Sequence, residues 1–177
     1  MSHTRFRQPT IIIHWLTLLL IVAVYCTMEF RSVFERGSEP RELMKTVHYM
    51  LGLSIFFLTF IRLAFRFTQP YPAITPTPAH WKHQIATIVH LMIYLFMLAM
   101  PLLGWLILSA EGKAIPFFGM ELPALIAANE ESAHLFEEWH ELIASFGYGL
   151  IGLHALAALA HHYVAKDNTI KRMWFKG

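Results

Sequence analysis

The chain has 177 residues, 56% hydrophobic and 15% charged, with a formal net charge of +2. Soluble domains carry about 25% charged residues and mix them finely along the chain, whereas here long stretches contain none, so the composition points to lipid. The length suits one domain, and nothing in the composition points to nucleic acid.

Four apolar runs are long enough to cross the ~30 Å hydrocarbon core as helices: residues 11–29, 46–67, 84–109 and 140–164. The first follows Arg5 and Arg7 as a secretory leader would, but it is too long and lacks a small-x-small cleavage site. The second ends before Thr68-Gln69-Pro70-Tyr71-Pro72 and Pro76-Thr77-Pro78, an extended linker whose prolines stop the helix. Pro101 and Gly104 predict a kink in the third. Glu111 to Glu138 is too long for a tight turn, and Asn129-Glu130-Glu131 reads as an N-cap followed by first-turn acids, so the fourth helix begins outside the membrane. The alternation of a β-barrel is missing. The predicted fold is all-α, an integral membrane four-helix bundle formed by a single domain over residues 1–177.

Charge predicts the orientation. Arg5, Arg7, Arg62, Arg66, Lys82, Lys166, Lys171, Arg172 and Lys176 share one side with a single acid, Asp167. By the positive-inside rule that side, with both termini, is cytoplasmic. The other side carries Arg31, Arg36, Arg41, Lys45 and Lys113 against eleven glutamates, and faces the periplasm in a bacterial inner membrane.

Of 11 histidines, His14, His48, His90, His140, His154, His161 and His162 lie in or at the edges of the spans. Ionisable groups at membrane depth default to a functional reading, although each alone could serve by bonding a neighbouring helix. Spacing separates the two readings. His140 and His154 are fourteen residues apart, about 1,400° of helical turn, so they share one face about 21 Å apart along the axis. Zinc or copper needs ligands that converge on one point, and these cannot. Two centres stacked across the bilayer, each a six-coordinate haem iron, need such an arrangement together with a second ligand from another helix. By depth, His14 matches His154 on the cytoplasmic side and His48 matches His140 on the periplasmic side, with His90 as the competing ligand. With Cys26 the only cysteine, Cys-x-x-Cys-His is absent and any haem is held non-covalently. Gly147, seven residues from each fourth-helix histidine, would let a flat macrocycle approach the backbone or serve simple helix packing.

Ile13-His14-Trp15, Met28-Glu29-Phe30-Arg31, Val47-His48, Trp139-His140-Glu141, Gly152-Leu153-His154 and Ala160-His161-His162-Tyr163 together resemble the bacterial cytochrome b561 family of small di-haem, four-helix inner-membrane proteins, over essentially the whole chain. The resemblance implies two b-type haems with iron bound by His14, His48, His140 and His154, and electron traffic with the quinone pool. Some members of that family look like superoxide:ubiquinone oxidoreductases. Others carry electrons to quinone from a hydrogenase or another dehydrogenase acting as a redox partner protein. The first type implies superoxide oxidised at the outer haem and ubiquinone reduced near the inner one. His161, seven residues beyond His154, is the candidate for hydrogen-bonding a quinone carbonyl. Arg31, Arg36, Arg41 and Lys45 are the candidates for steering superoxide, set against flanking Glu29, Glu35, Glu39 and Glu42. A third class, a transport protein whose histidines relay protons, requires no haem.

Overall fold

A computed structural model describes residues 5–175; Lys176, counted above among the cytoplasmic cations, lies outside them. Helix α1 spans Gln8–Phe30, α2 Glu39–Thr68, α3 His80–Ala110 and α4 Glu130–Tyr163, and a four-residue α5 covers Thr169–Arg172. All four long helices are long and apolar enough to cross a membrane. The chain is a four-helix membrane bundle.

The helices outrun their apolar runs because their ends are built for helix starts and stops. Pro9 and Pro40 occupy the first turns of α1 and α2, where a missing amide proton costs nothing. Asn129 Oδ1 accepts the Ser132 amide at 2.8 Å ahead of Glu130 and Glu131, a cap that contributes about 1 kcal/mol. The 34 residues of α4 measure about 51 Å, so its first turns project beyond the hydrocarbon core. Helix α3 runs unbroken through buried Pro101.

A hairpin not foreseen from the sequence closes one end of the bundle. Strands β1 (Ile115–Phe117) and β2 (Met120–Leu122) pair antiparallel around Phe118 and Gly119, at φ 47° and 84°. Positive φ at both loop residues is the type I′ signature, but Phe-Gly lacks the Asn or Asp that advertises it. Ile115, 1% exposed, packs with Leu53 and Leu108 and against Tyr49, Trp105, Phe117 and Leu122. Burying that isoleucine contributes about 1.5–3 kcal/mol. The loop back to α4 is held by Trp105 Nε1 to the Pro123 carbonyl at 3.0 Å and by the Leu125 amide to Ser109 Oγ at 3.1 Å.

At the opposite, terminal end, α5 and the residues after it return over the start of α1. Trp15 Nε1 donates to the Met173 carbonyl at 2.9 Å, and the Phe6 amide to that of Arg172 at 3.1 Å. Packing around the bundle is uneven. Helices α1 and α2, α2 and α3, and α3 and α4 lie side by side, but no Cα of α4 comes within 8 Å of one in α1 or α2. Large side chains such as Leu19 (67% exposed) and Phe146 (71% exposed) point outward, as lipid-facing helices require.

Candidate haem site between the helices

Two pairs of histidines face each other across the space between α4 and its neighbours. Near the hairpin end, His48 on α2 and His140 on α4 have ring centroids 6.1 Å apart, planes inclined by 67°. Near the terminal end, His14 on α1 and His154 on α4 are 6.3 Å apart, inclined by 63°. A metal–imidazole bond is about 2 Å, and the ring centre lies about 1 Å beyond the nitrogen, so two imidazoles on opposite sides of one metal ion sit about 6 Å apart. Both pairs meet that spacing. His90 on α3 also approaches His154, but at 5.4 Å it is too close to be its trans partner through a metal.

What surrounds the rings differs. His48 Nδ1 lies 3.3 Å from the Val24 carbonyl and 3.2 Å from Thr27 Oγ1, whose own proton goes to Val24 at 2.6 Å. Both partners can accept, so Nδ1 carries the proton and Nε2 is left as the nitrogen that could ligate a metal. His140 Nδ1 is buried without a partner. His14 Nδ1 instead meets Arg62 Nη2 at 3.3 Å, a group that only donates, so for His14 to ligate through Nε2 its Nδ1 must carry the proton and Arg62 must turn from the ring toward an anion. Arg66 lies one turn further along α2, its guanidinium 4.6 Å from the Tyr71 ring, and Arg172, 2% exposed, stands 4.7 Å from the same ring and 5.2 Å from Phe6. The ion pairs among the described residues are Glu42–Lys45, Glu111–Lys113 and Asp167–His161, so none of these three arginines has a carboxylate at ion-pair distance. Three guanidiniums at one end of an apolar bundle create a demand for anionic groups.

The model of the family described as prokaryotic cytochrome b561 matches residues 5–176. This chain belongs to that family. Cytochrome b561 homolog 1 of Escherichia coli K12 is 40% identical over 169 residues, 96% of each chain. The probable superoxide oxidase CybB of Yersinia pestis is 38% identical over 171 residues, covering 97% of this chain and 96% of that one. Cytochrome b561 homolog 2 of E. coli K12 is 27% identical over 161 residues, 90% and 86% of the two chains. A prokaryotic cytochrome b561 is a membrane b-type cytochrome, and the residues present fit its haem: facing imidazoles at a spacing that suits iron, an α4 set back from α1 and α2, and arginines with no carboxylate partner among the described residues for the propionates.

Gly147 has a different task. A Cβ there would collide with the Tyr25 hydroxyl and stand 2.5 Å from Phe96 Cζ. The space over its backbone is filled by aromatic side chains, so of its two sequence readings the structure favours helix packing. Tyr25 reaches across to donate to the Ala144 carbonyl at 2.8 Å and stacks on Tyr148 at 4.2 Å, while the Tyr148 hydroxyl donates to Glu29. These contacts tie α1 to α4 beside a cavity of about 350 Å3 lined by Leu18, Val22, Cys26 and Ile151.

Two of the four candidate steering cations are engaged in structure. Arg41 Nη1 donates to the Phe34 carbonyl at 2.9 Å and the Arg31 carbonyl at 3.3 Å, closing the 3-10 turn after α1, and Lys45 pairs with Glu42 at 2.7 Å. Arg31 and Arg36 have no carboxylate partner among the described residues. At the terminal end, His161 Nδ1 pairs with Asp167 Oδ2 at 2.5 Å. Burial pushes the Asp167 carboxyl up, but His161 and the Thr169 amide outweigh it and leave its pKa below the ordinary value. Sequence reasoning gave Arg62, Arg66, Arg172 and Asp167 no part in the site beyond orientation. These residues beside apolar runs read as membrane-edge charges until the fold buries Asp167 and Arg172 and turns Arg62 to His14.

Proposed function

We propose that this cytochrome is a superoxide oxidase of the bacterial inner membrane, passing electrons from periplasmic superoxide through two non-covalent b haems to ubiquinone. The carrying observation is the pair of trans-spaced imidazole couples, at 6.1 and 6.3 Å, on opposite halves of one bundle. In this reading the hairpin end faces the periplasm and the cation-rich terminal end the cytoplasm. The name of the Yersinia pestis relative supports the choice of superoxide.

His48 and His140 hold the periplasmic haem, and His14 and His154 the cytoplasmic one. Each haem, when bound, would supply a one-electron iron couple, and a pair of histidine ligands would favour electron transfer over oxygen binding. Val24 and Thr27 fix the tautomer of His48. Arg62, Arg66 and Arg172 hold propionates at the cytoplasmic end. Arg31 and Arg36, without a carboxylate partner among the described residues, draw the anion toward His48. In the balanced reaction two superoxide anions each lose an electron and leave as dioxygen, while ubiquinone gains two electrons and two protons. His161 receives the quinone carbonyl.

The engagement of Arg41 and Lys45 in local structure favours a second reading, a non-enzymatic subunit that takes electrons from a periplasmic dehydrogenase or hydrogenase. Purified protein with ubiquinone-1 in detergent, exposed to an enzymatic superoxide source, separates the two. An oxidase shows haem reduction and quinol formation that superoxide dismutase abolishes. Reduction no faster than the control rejects the oxidase reading and leaves the conduit.

A further inference from the structure

Asp167 is the one acid of the terminal end, and both its oxygens and its amide are engaged, one oxygen on a single imidazole ring. It is 5% exposed; its Oδ2 holds His161 Nδ1 at 2.5 Å, its Oδ1 accepts the Thr169 amide at 2.9 Å, and its own amide donates to the His161 carbonyl at 3.1 Å. The His161 side chain is 23% exposed, so the ring has an open edge. A carboxylate can only accept, which puts a proton on Nδ1 and leaves Nε2 as the nitrogen that meets a ligand. His162, the next residue, lacks this arrangement: its Nδ1 is buried without a partner and its ring packs on Tyr163 at 4.8 Å.

We infer that Asp167 is a positioning residue that makes His161 the proton donor to a quinone carbonyl at the terminal end. The inference rests on the quinone role of His161 proposed above. A neutral imidazole whose Nδ1–H points at Asp167 can only accept through Nε2, whereas a quinone carbonyl needs a donor. The adjacent carboxylate stabilises the imidazolium, which has both N–H groups, and aims Nε2–H outward, the same service a buried aspartate gives a catalytic histidine elsewhere. As ubiquinone takes two electrons, released by two superoxide anions, the Nε2–H bond breaks and an O–H bond forms at the facing oxygen. Neutral His161 stays on Asp167 and regains its proton from water at the terminal face. The far carbonyl oxygen takes the second proton from solvent, which completes the quinol.

Asp167→Asn isolates this role. The amide oxygen still accepts from Thr169, but an N–H now points at Nδ1, moving the imidazole proton to Nε2 and removing the charge that stabilises the imidazolium. In full-length holoprotein we expect haem content to be unchanged and ubiquinone-1 binding, read by equilibrium dialysis, to stay within about twofold. Reoxidation of the pre-reduced haems by ubiquinone-1 should slow about tenfold or more, with a larger solvent deuterium isotope effect. His161→Gln should weaken both binding and reoxidation. Asp167→Glu keeps the charge and should recover much of the rate.

Wild-type binding and reoxidation in His161→Gln would remove the quinone role of His161 and this inference with it. If His161→Gln is impaired while Asp167→Asn reoxidises at the wild-type rate and isotope effect, the quinone role stands and the Asp167 inference falls. Asp167→Glu as slow as Asp167→Asn would make the contribution structural and overturn the inference as well.

Discussion

His48 turns Nδ1 to two acceptors, the Val24 carbonyl and Thr27 Oγ1 at 3.3 and 3.2 Å, whereas His14 turns the same atom to the Arg62 guanidinium at 3.3 Å. The two couples share a spacing, yet one has neutral acceptors at His48 and the other has Arg62, which has no carboxylate partner among the described residues, at His14. An acceptor on Nδ1–H makes an imidazole a stronger donor to a metal, which favours the oxidised metal. Nearby positive charge favours the reduced one. The contrast teaches that two matching histidine couples in one bundle meet different electrostatic surroundings. With the proposed haems bound, the hairpin-end centre would have the lower potential and the terminal-end centre the higher, and electrons would run downhill from the first to the second.

The largest test of the comparison removes a ligand. His48→Ala or His140→Ala should cost one haem of two and leave the terminal-end spectrum, and His14→Ala or His154→Ala should do the converse, read as haem per folded protein. Equal loss of both haems from a folded variant breaks the pairing. Next comes Gly147→Ala, whose methyl collides with Tyr25 and Phe96. Overpacking costs about 1–3 kcal/mol, so the thermal midpoint should fall, and an unchanged midpoint would show that α1 and α4 yield easily.

Smaller effects sharpen the electrostatic half. Arg62→Gln should lower the midpoint of the terminal-end haem by tens of millivolts, about 1–2 kcal/mol, leaving the hairpin-end value in place. Thr27→Val removes one of two acceptors from His48 and should raise the hairpin-end midpoint by less. A redox titration in which both variants shift the same haem would end the proposed division. The smallest effect concerns the terminal cap. Because the Asp167 pKa is depressed, its contribution is present above the unfolded value of about 4 and is lost as pH falls through the lower folded value. Native-state hydrogen-exchange protection factors of the tail, which divide out the base-catalysed intrinsic rate, should therefore fall in acid, and a fall confined to the alkaline side would contradict the sign.

Several features were readable before any coordinates. Runs of about 20 apolar residues report a membrane helix because lipid leaves the backbone no other partner. Asn129-Glu130-Glu131 announced the start of α4, since capping is local chemistry. The shared face of His140 and His154 follows from helical pitch alone. The hairpin was not readable, because Phe118-Gly119 forms a tight turn without the usual residues and its hold comes from Ile115 packing on Leu53 and Leu108.

The sequence by itself determined the four spans, the histidines within them and the charge asymmetry between the two ends, since each depends on composition or on the period of one helix. Only the tertiary structure decided that α4 stands off from α1 and α2 while its two histidines face theirs at 6.1 and 6.3 Å, that Arg62 rather than an acceptor meets His14, and that Asp167 closes on His161. Those are contacts between separate elements or across a chain reversal, set by packing and the geometry of return, and no local pattern encodes them.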